Sequence, residues 1–191
     1  MDFWEEAYKG SDEKLPWFSQ KLDRDIEKWL KGHPGKWKIL SIGEGPGTQA
    51  IALAKLGFDV TGTDISMAAL KKAQKRADGE NANVRFVPDN ILETGISSKF
   101  SLIIDRGCFH VLPPEKRVVY VENVSGLMEK NGFLLMKTFS SLEKQPGPYR
   151  FSPAELKAIF GGKFNVIEIT ETEYEGTLPI NPKALFVVMG K

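Results

Sequence analysis

The chain has 191 residues, enough for one domain with a full hydrophobic core. Hydrophobic residues make up 41% and charged residues 27%, and the formal net charge is +1, which leaves no basic footprint for nucleic acid. The single cysteine, Cys108, excludes an internal disulfide, no apolar run reaches the roughly 18 residues of a membrane helix, and MDFWEEAYKG does not read as a targeting peptide. The expectation is a cytoplasmic enzyme or binding domain, with neither a membrane nor a nucleic acid as partner.

In chain order, the spacing predicts a first helix from about Ser19 to Lys31, with Phe18, Leu22, Ile26, Trp29 and Leu30 on one face and Gly32 as its stop. KILSI is a short buried strand that runs into the glycines. TQAIALAKLG is a helix ending at Gly57. FDVTGTDI is a strand rich in β-branched residues, and Ser66 caps the helix MAALKKAQKRA. NVRFVPD is a third strand. KFSLIID is a fourth, and its nearly unbroken apolar run predicts burial on both faces. Pro113-Pro114 opens a helix, and KNG turns it into the strand FLLMKTF. SPAE has capping-box spacing and opens a helix that ends at Gly161-Gly162. FNVIEIT and ALFVVMG close the chain with no helix between them. This order predicts an α/β fold: a Rossmann-like, seven-stranded, mostly parallel sheet with helices on both faces and an antiparallel final strand. Ligands of such sheets bind at the carboxyl ends of the strands, here the loops after Ile42, Thr63, Val87, Ile104 and Thr138.

The first of those loops holds Gly43, Gly45 and Gly47. Their spacing is G-x-G-x-G, with Thr48 where the dinucleotide fingerprint G-x-G-x-x-G has its third glycine. Asp64 ends the next strand, 21 positions after Gly43, where a carboxylate accepts from ribose hydroxyls. The plainer alternative is a tight strand-to-helix turn and nothing more. Glu44 separates two ligand classes. A pyrophosphate beside it would be repelled, whereas S-adenosylmethionine brings a sulfonium and an ammonium, both cationic.

ILSIGEGPG and VTGTDIS resemble the glycine motif and ribose-binding strand of class I S-adenosylmethionine-dependent methyltransferases, over about residues 38–140. The resemblance implies S-adenosyl-L-methionine as cofactor, held by Gly43, Glu44, Gly45, Gly47, Asp64 and Ile65. It also puts Asp89 against the adenine amino group, with Asn90 and Ile91 on the ring; the other reading of that loop is an Asx turn. Ser41 departs from the pattern, because the family usually has an acid two residues before the first glycine. Glu44, backbone carbonyls, or neither takes over its part. IIDRGCFHVLPPEKR, EEAYKGSDEKLPWF and QPGPYRFSPAEL resemble the thiopurine methyltransferase-like and tellurite-resistance-like branch, with Asp105–Gly107 and Pro146–Tyr149 matching its thiopurine members. That implies a small-molecule acceptor, a thiol or other soft nucleophile. It also implies one methyltransferase domain over 1–191: a covering segment at 1–37, a cofactor-binding core at 38–140, and a helix with a strand pair at 141–191.

On this reading Arg106 is the candidate catalytic cation, lowering the pKa of a thiol; its alternative is an ion pair with Asp105. Asp105 is expected at the methionyl end of the cofactor. Trp4, Trp17, Phe109 and Tyr149 are expected as an apolar lid, with Trp17 on the cofactor. His110 lacks a third group at fixed spacing to orient it, so it is expected to contact ligand or pack rather than act as a general base. Cys108 reads as buried, and no ligand spacing supports a metal. Two alternatives remain: a nucleotide-dependent oxidoreductase, and a module that binds S-adenosylmethionine without transferring its methyl group. The oligomeric state is left open.

Overall fold

In the computed structural model, which describes residues 3–191, the predicted strand KILSI is β1 (Lys38–Ile42), and Ile39 through Ile42 are all buried. It lies inside one sheet, flanked by β2 (Asp59–Asp64) and β4 (Phe100–Arg106). With β3 (Arg85–Pro88), β5 (Met128–Ser140), β7 (Asn165–Glu173) and β8 (Lys183–Gly190), the order is β3-β2-β1-β4-β5-β8-β7. β8 runs antiparallel to both β5 and β7, and the strands from β3 to β5 are mutually parallel. The seven predicted strands are therefore the seven of this path. An eighth, the two-residue β6 (Arg150–Phe151), pairs with the end of β5 just after the PGP segment.

Strand alternation divides the core between the two faces of the sheet. Leu40, Ile42, Ile103, Leu134 and Met136 pack with Tyr120 and Val124 of α5 (Pro114–Leu127) and with Leu156 and Phe160 of α6 (Pro153–Phe160). Ile39, Leu102, Ile104 and Leu135 face the other way, onto Ile26, Trp29 and Leu30 of α2 (Arg24–Gly32) and Ile51 and Leu53 of α3 (Thr48–Lys55). Helix α2 starts five residues later than the periodicity predicts. Lys21 N–H turns back to the Ser19 hydroxyl, and Asp23 caps the helix by accepting from Asp25 N–H. A local side-chain bond thus competes successfully with the helix at Ser19.

The N-terminal segment, with the short α1 (Phe3–Ala7), lies over α4 (Met67–Gly79). Glu5 accepts from the Ser66 hydroxyl at 2.7 Å and from Ala68 N–H at 3.1 Å, so it helps cap that helix. Asp12 bridges Lys72 and Arg76 of α4 at 2.7 and 2.9 Å. Among the described residues, no helix is long and apolar enough to cross a membrane.

Candidate active site

The chain passes from β1 outward to β2 and β3, then returns to β4 on the other side of β1. The crevice at this reversal is where open parallel sheets bind ligands. The loops after β1 and β4 meet there: a Cβ on Gly43 would stand 3.0 Å from Cys108 Cβ. A cavity of about 1160 Å³ opens along this edge. Since one drug-sized ligand occupies a pocket of roughly 300–1,000 Å³, the volume suits a cofactor together with a second molecule.

The glycine turn is built from left-handed backbone, with φ of 62° at Gly43, 60° at Gly45 and 89° at Gly47. At Gly45 a side chain is excluded twice, by that φ and by the Tyr8 hydroxyl 2.7 Å from where a Cβ would sit. Gly45 N–H donates to Asp64 at 2.8 Å, and Ser66 N–H donates to its other carboxylate oxygen at 2.8 Å. Asp64 is thus fixed at the cavity wall at the end of β2.

Glu44 does not face solvent. It is 7% exposed, accepts from Ala50 N–H at 2.9 Å, and receives the hydroxyl of Ser41. Glu44 thus reaches back over the turn and places its carboxyl beside Ser41, the position where the motif has an acid. Burial, together with the nearby Asp64, pushes the Glu44 carboxyl up to about 7, while Ala50 N–H and the Ser41 hydroxyl pull the other way. Ser41 and Glu44 line a small polar annex with Thr48, Gln49 and Arg106, and this annex shares Tyr8, Trp17 and Gly43 with the main cavity. The recess is small, about 40 Å³, and an acid and hydroxyls border it.

Of the other residues singled out from sequence, Trp4, Trp17, Ile65, Asp89, Asn90, Ile91, Arg106, His110 and Tyr149 line the main cavity. Asp89 accepts from Gly95 N–H at 2.9 Å, and Asn90 accepts from Leu92 N–H at 3.1 Å, so Asn90 also makes the Asx turn. Gly47 lies outside that lining and packs on α4, where a Cβ would be 2.8 Å from Ala73 Cβ. Two expectations are corrected. Phe109 is no part of a lid: it is fully buried among Tyr120, Phe151 and Phe160. Asp105 does not reach the cavity. It is 0% exposed and accepts from the N–H groups of Gly107, Cys108 and Phe109 and, at 2.5 Å, from the Tyr120 hydroxyl. Burial raises its carboxyl to about 6 against those four donors.

Arg106 pairs with Asp23, not with Asp105. Its Nε donates to Asp23 at 3.0 Å, its two terminal nitrogens donate to the carbonyls of Trp17 and Glu175, and the guanidinium lies 4.6 Å from the Tyr174 ring centre. Lys137 of β5, fully buried, holds the same Asp23 at 2.7 Å and Asp25 at 2.6 Å. Burial would raise the Asp23 carboxyl, but the two cations outweigh it and hold it below the usual range. Asp23, Lys137, Tyr8 and Tyr174 were not singled out as site residues from sequence. Lys137 sits in an apolar strand 114 residues from its partner, and only the lone charge within FLLMKTF signalled a buried pair.

The far half of the cavity, formed by the segments after β4 and β5 and by the β7–β8 connection, is lined by Val111, Leu112, Phe139, Pro146, Pro148, Leu178 and Pro182 together with the polar Gln145, Tyr149 and Arg150. Cys108 is beside it, but burial, then Asp105 and Asp64, raise its thiol well above the ordinary value, so it stays protonated.

A methyltransferase-domain family profile matches residues 39–132. An uncharacterised methyltransferase of Schizosaccharomyces pombe is 30% identical over 107 residues, covering 56% of this chain and 74% of that protein. Among solved structures, the protein described for conversion of a disulfide bond into a thioacetal group during echinomycin biosynthesis superposes with a TM-score of 0.87. It is 21% identical and covers 98% of this chain and 91% of its own. TehB from Haemophilus influenzae gives 0.74 at 21% identity, over 89% of this chain and 62% of that one. The chain belongs to the S-adenosylmethionine-dependent methyltransferases.

Proposed function

We propose that the acceptor is a small, largely apolar molecule with a soft nucleophile, a thiol, that enters the far half of the cavity. The observation that carries this reading is the chemistry of that half: mostly apolar walls, with Gln145 and Arg150 among them and the nearby cation Arg106 already committed. The Arg106 guanidinium is held by Asp23. His110 is neutral, pulled down to about 3 by burial and by Arg106. Among the described residues lining that half, none is a base that takes a proton at neutral pH. A thiol needs none, because its own pKa of ~8.5 leaves some thiolate present. Disulfide-to-thioacetal conversion, described for the structural relative, is also chemistry at sulfur and is consistent with this choice.

In this reading S-adenosylmethionine, when bound, supplies an electrophilic methyl group on a sulfonium sulfur. Asp64 binds the ribose; Asp89, Asn90 and Ile91 border the adenine; Ile65 lies alongside. Glu44 and Ser41 receive the ammonium in the annex. Residues 3–37 cover the site, 38–140 bind the cofactor, and 141–191 complete the acceptor side. Arg106 is a positioning residue: it fixes the Trp17 carbonyl and so places the covering segment. An apolar, enclosed acceptor half removes water from a thiolate whose charge is lost in the transition state, which lowers the barrier.

The test is methyl-labelled S-adenosylmethionine incubated with the protein and a panel of aryl and alkyl thiols, amines, carboxylates and structured RNA, with products identified by mass spectrometry. Label on sulfur is expected. Label on RNA, or on amines alone, would overturn the thiol assignment.

A further inference from the structure

His110 lies in the 3-10 turn Phe109–Val111, 4% exposed, between the rings of Phe139 and Tyr174 at centroid distances of 5.0 and 5.4 Å. Its Nδ1 is 3.2 Å from the backbone N–H of Phe139. That N–H can only donate, so Nδ1 must present a lone pair, and the ring proton is on Nε2. Nε2 has no hydrogen-bond partner among the described residues. It faces Gly107, where a Cβ would be 3.1 Å away, and His110 and Gly107 both line the cavity. This N–H is not a buried polar atom left without a partner; it opens onto the cavity, where a ligand atom can accept from it.

We propose that His110 is a fixed donor in the acceptor site, its Nε2–H hydrogen-bonding the thiolate sulfur of the incoming molecule and so selecting the ionised acceptor. This rests on the thiol reading above. The charged and titratable groups around the ring all oppose an imidazolium or stay silent. Arg106 of β4 is cationic, Tyr174, just after β7, is pushed up to about 12 by burial, and the carboxylate of Asp105 is committed to its four donors. During transfer the thiolate sulfur forms the new bond to the methyl carbon. The bond from that carbon to the sulfonium breaks, its electron pair returning to the leaving sulfur, and His110 keeps its proton throughout.

The sequence has two histidines, and His33 has Nδ1 2.9 Å from the Trp29 carbonyl, so His33 must carry a proton on Nδ1. Nitrogen-15 NMR of histidine-labelled protein, with each signal assigned by His33→Gln and His110→Gln variants, therefore reads two distinguishable rings. Titration with 4-nitrobenzenethiolate in the presence of S-adenosylhomocysteine is the probe. We expect His110 to show Nε2–H and lone-pair Nδ1 unchanged from about pH 5 to 8, and its Nε2 proton to move downfield on adding the thiolate. His110→Phe should weaken thiolate binding about tenfold or more, His110→Gln less, with S-adenosylhomocysteine binding unchanged in both. A proton on Nδ1, a titration within that range, absence of thiolate binding to the wild-type complex, or no effect of His110→Phe would each overturn the proposal. Failure of S-adenosylhomocysteine to bind would instead strike at the cofactor site, and it is read separately in the same titration.

Discussion

Glu44 reaches back to the hydroxyl of Ser41 from inside the glycine turn, and its carboxyl titrates at about 7 rather than near the ordinary value of 4.5. A raised carboxyl pKa in the folded state means that the native protein holds the proton more tightly than the unfolded chain. The resulting stabilisation is full below about pH 4.5 and disappears as pH rises through about 7. Asp105, raised from 3.8 to about 6, acts in the same sense over a lower window. Cofactor-free protein should therefore lose stability between about pH 5 and 7.5, on the order of 3 kcal/mol from Glu44; urea melts across that range check it. A cation placed beside Glu44 reverses the preference. Binding of S-adenosylmethionine should release a proton below about pH 7 and tighten roughly tenfold from pH 6 to 7.5. Calorimetry in two buffers of different ionisation enthalpy measures this, and Glu44→Gln should flatten the dependence. Gly107 makes a second test at this scale. Its φ is 103°, and a Cβ would collide with the Tyr174 hydroxyl. Gly107→Ala should cost about 1–3 kcal/mol in a thermal melt, with acceptor turnover falling further than cofactor affinity.

The covering segment is held to the sheet by a buried ionic latch. Asp23 caps α2, Arg106 ends β4 and carries the Trp17 carbonyl, and Lys137 lies in β5. Removing the shared carboxylate leaves the buried Arg106 without its anion and Lys137 with Asp25 alone. Asp23→Ala should then cost about 3–5 kcal/mol, plus a helix cap of about 1 kcal/mol, seen as a lowered melting temperature. Hydrogen exchange should speed up first around Trp17, whose carbonyl Arg106 holds, ahead of the β1–β4 core, while the packing of Tyr8, Leu15 and Phe18 on α4 persists. The elements themselves were largely legible in the sequence. The strands KILSI, FDVTGTDI and KFSLIID carry their burial in an apolar run, and the turn between the first two carries its geometry in glycine spacing. The start of α2 was not legible, because the apolar spacing continues back to Phe18 while the Ser19 hydroxyl and the Asp23 cap start the helix later by local side-chain bonds. Phe109 and Asp105 were misplaced for a related reason. They adjoin cavity residues in sequence, but a strand end followed by a 3-10 turn sends neighbouring side chains to different sides.

At the scale of the molecule, the reversal of strand order between β1 and β4 creates the crevice, and segments from both ends of the chain close over it. Trp4 and Trp17 come from the beginning, Tyr174, Leu178 and Pro182 from the end. The half of the crevice lined by Asp64 and Asp89 was readable because these acids sit at strand ends with fixed spacing. The acceptor half was less so, because it is assembled from segments more than a hundred residues apart. What that half lacks in proton acceptors at neutral pH, the substrate must supply. The central claim is thus that transfer proceeds by positioning and exclusion of water, with the acceptor ionising by its own acidity. The most direct measurement is kcat/KM against pH for a series of aryl thiols of graded pKa. The account expects the midpoint of each profile to follow the pKa of the thiol used. A midpoint that stays at one pH across the series would show a titrating group on the protein taking the proton, and would contradict it.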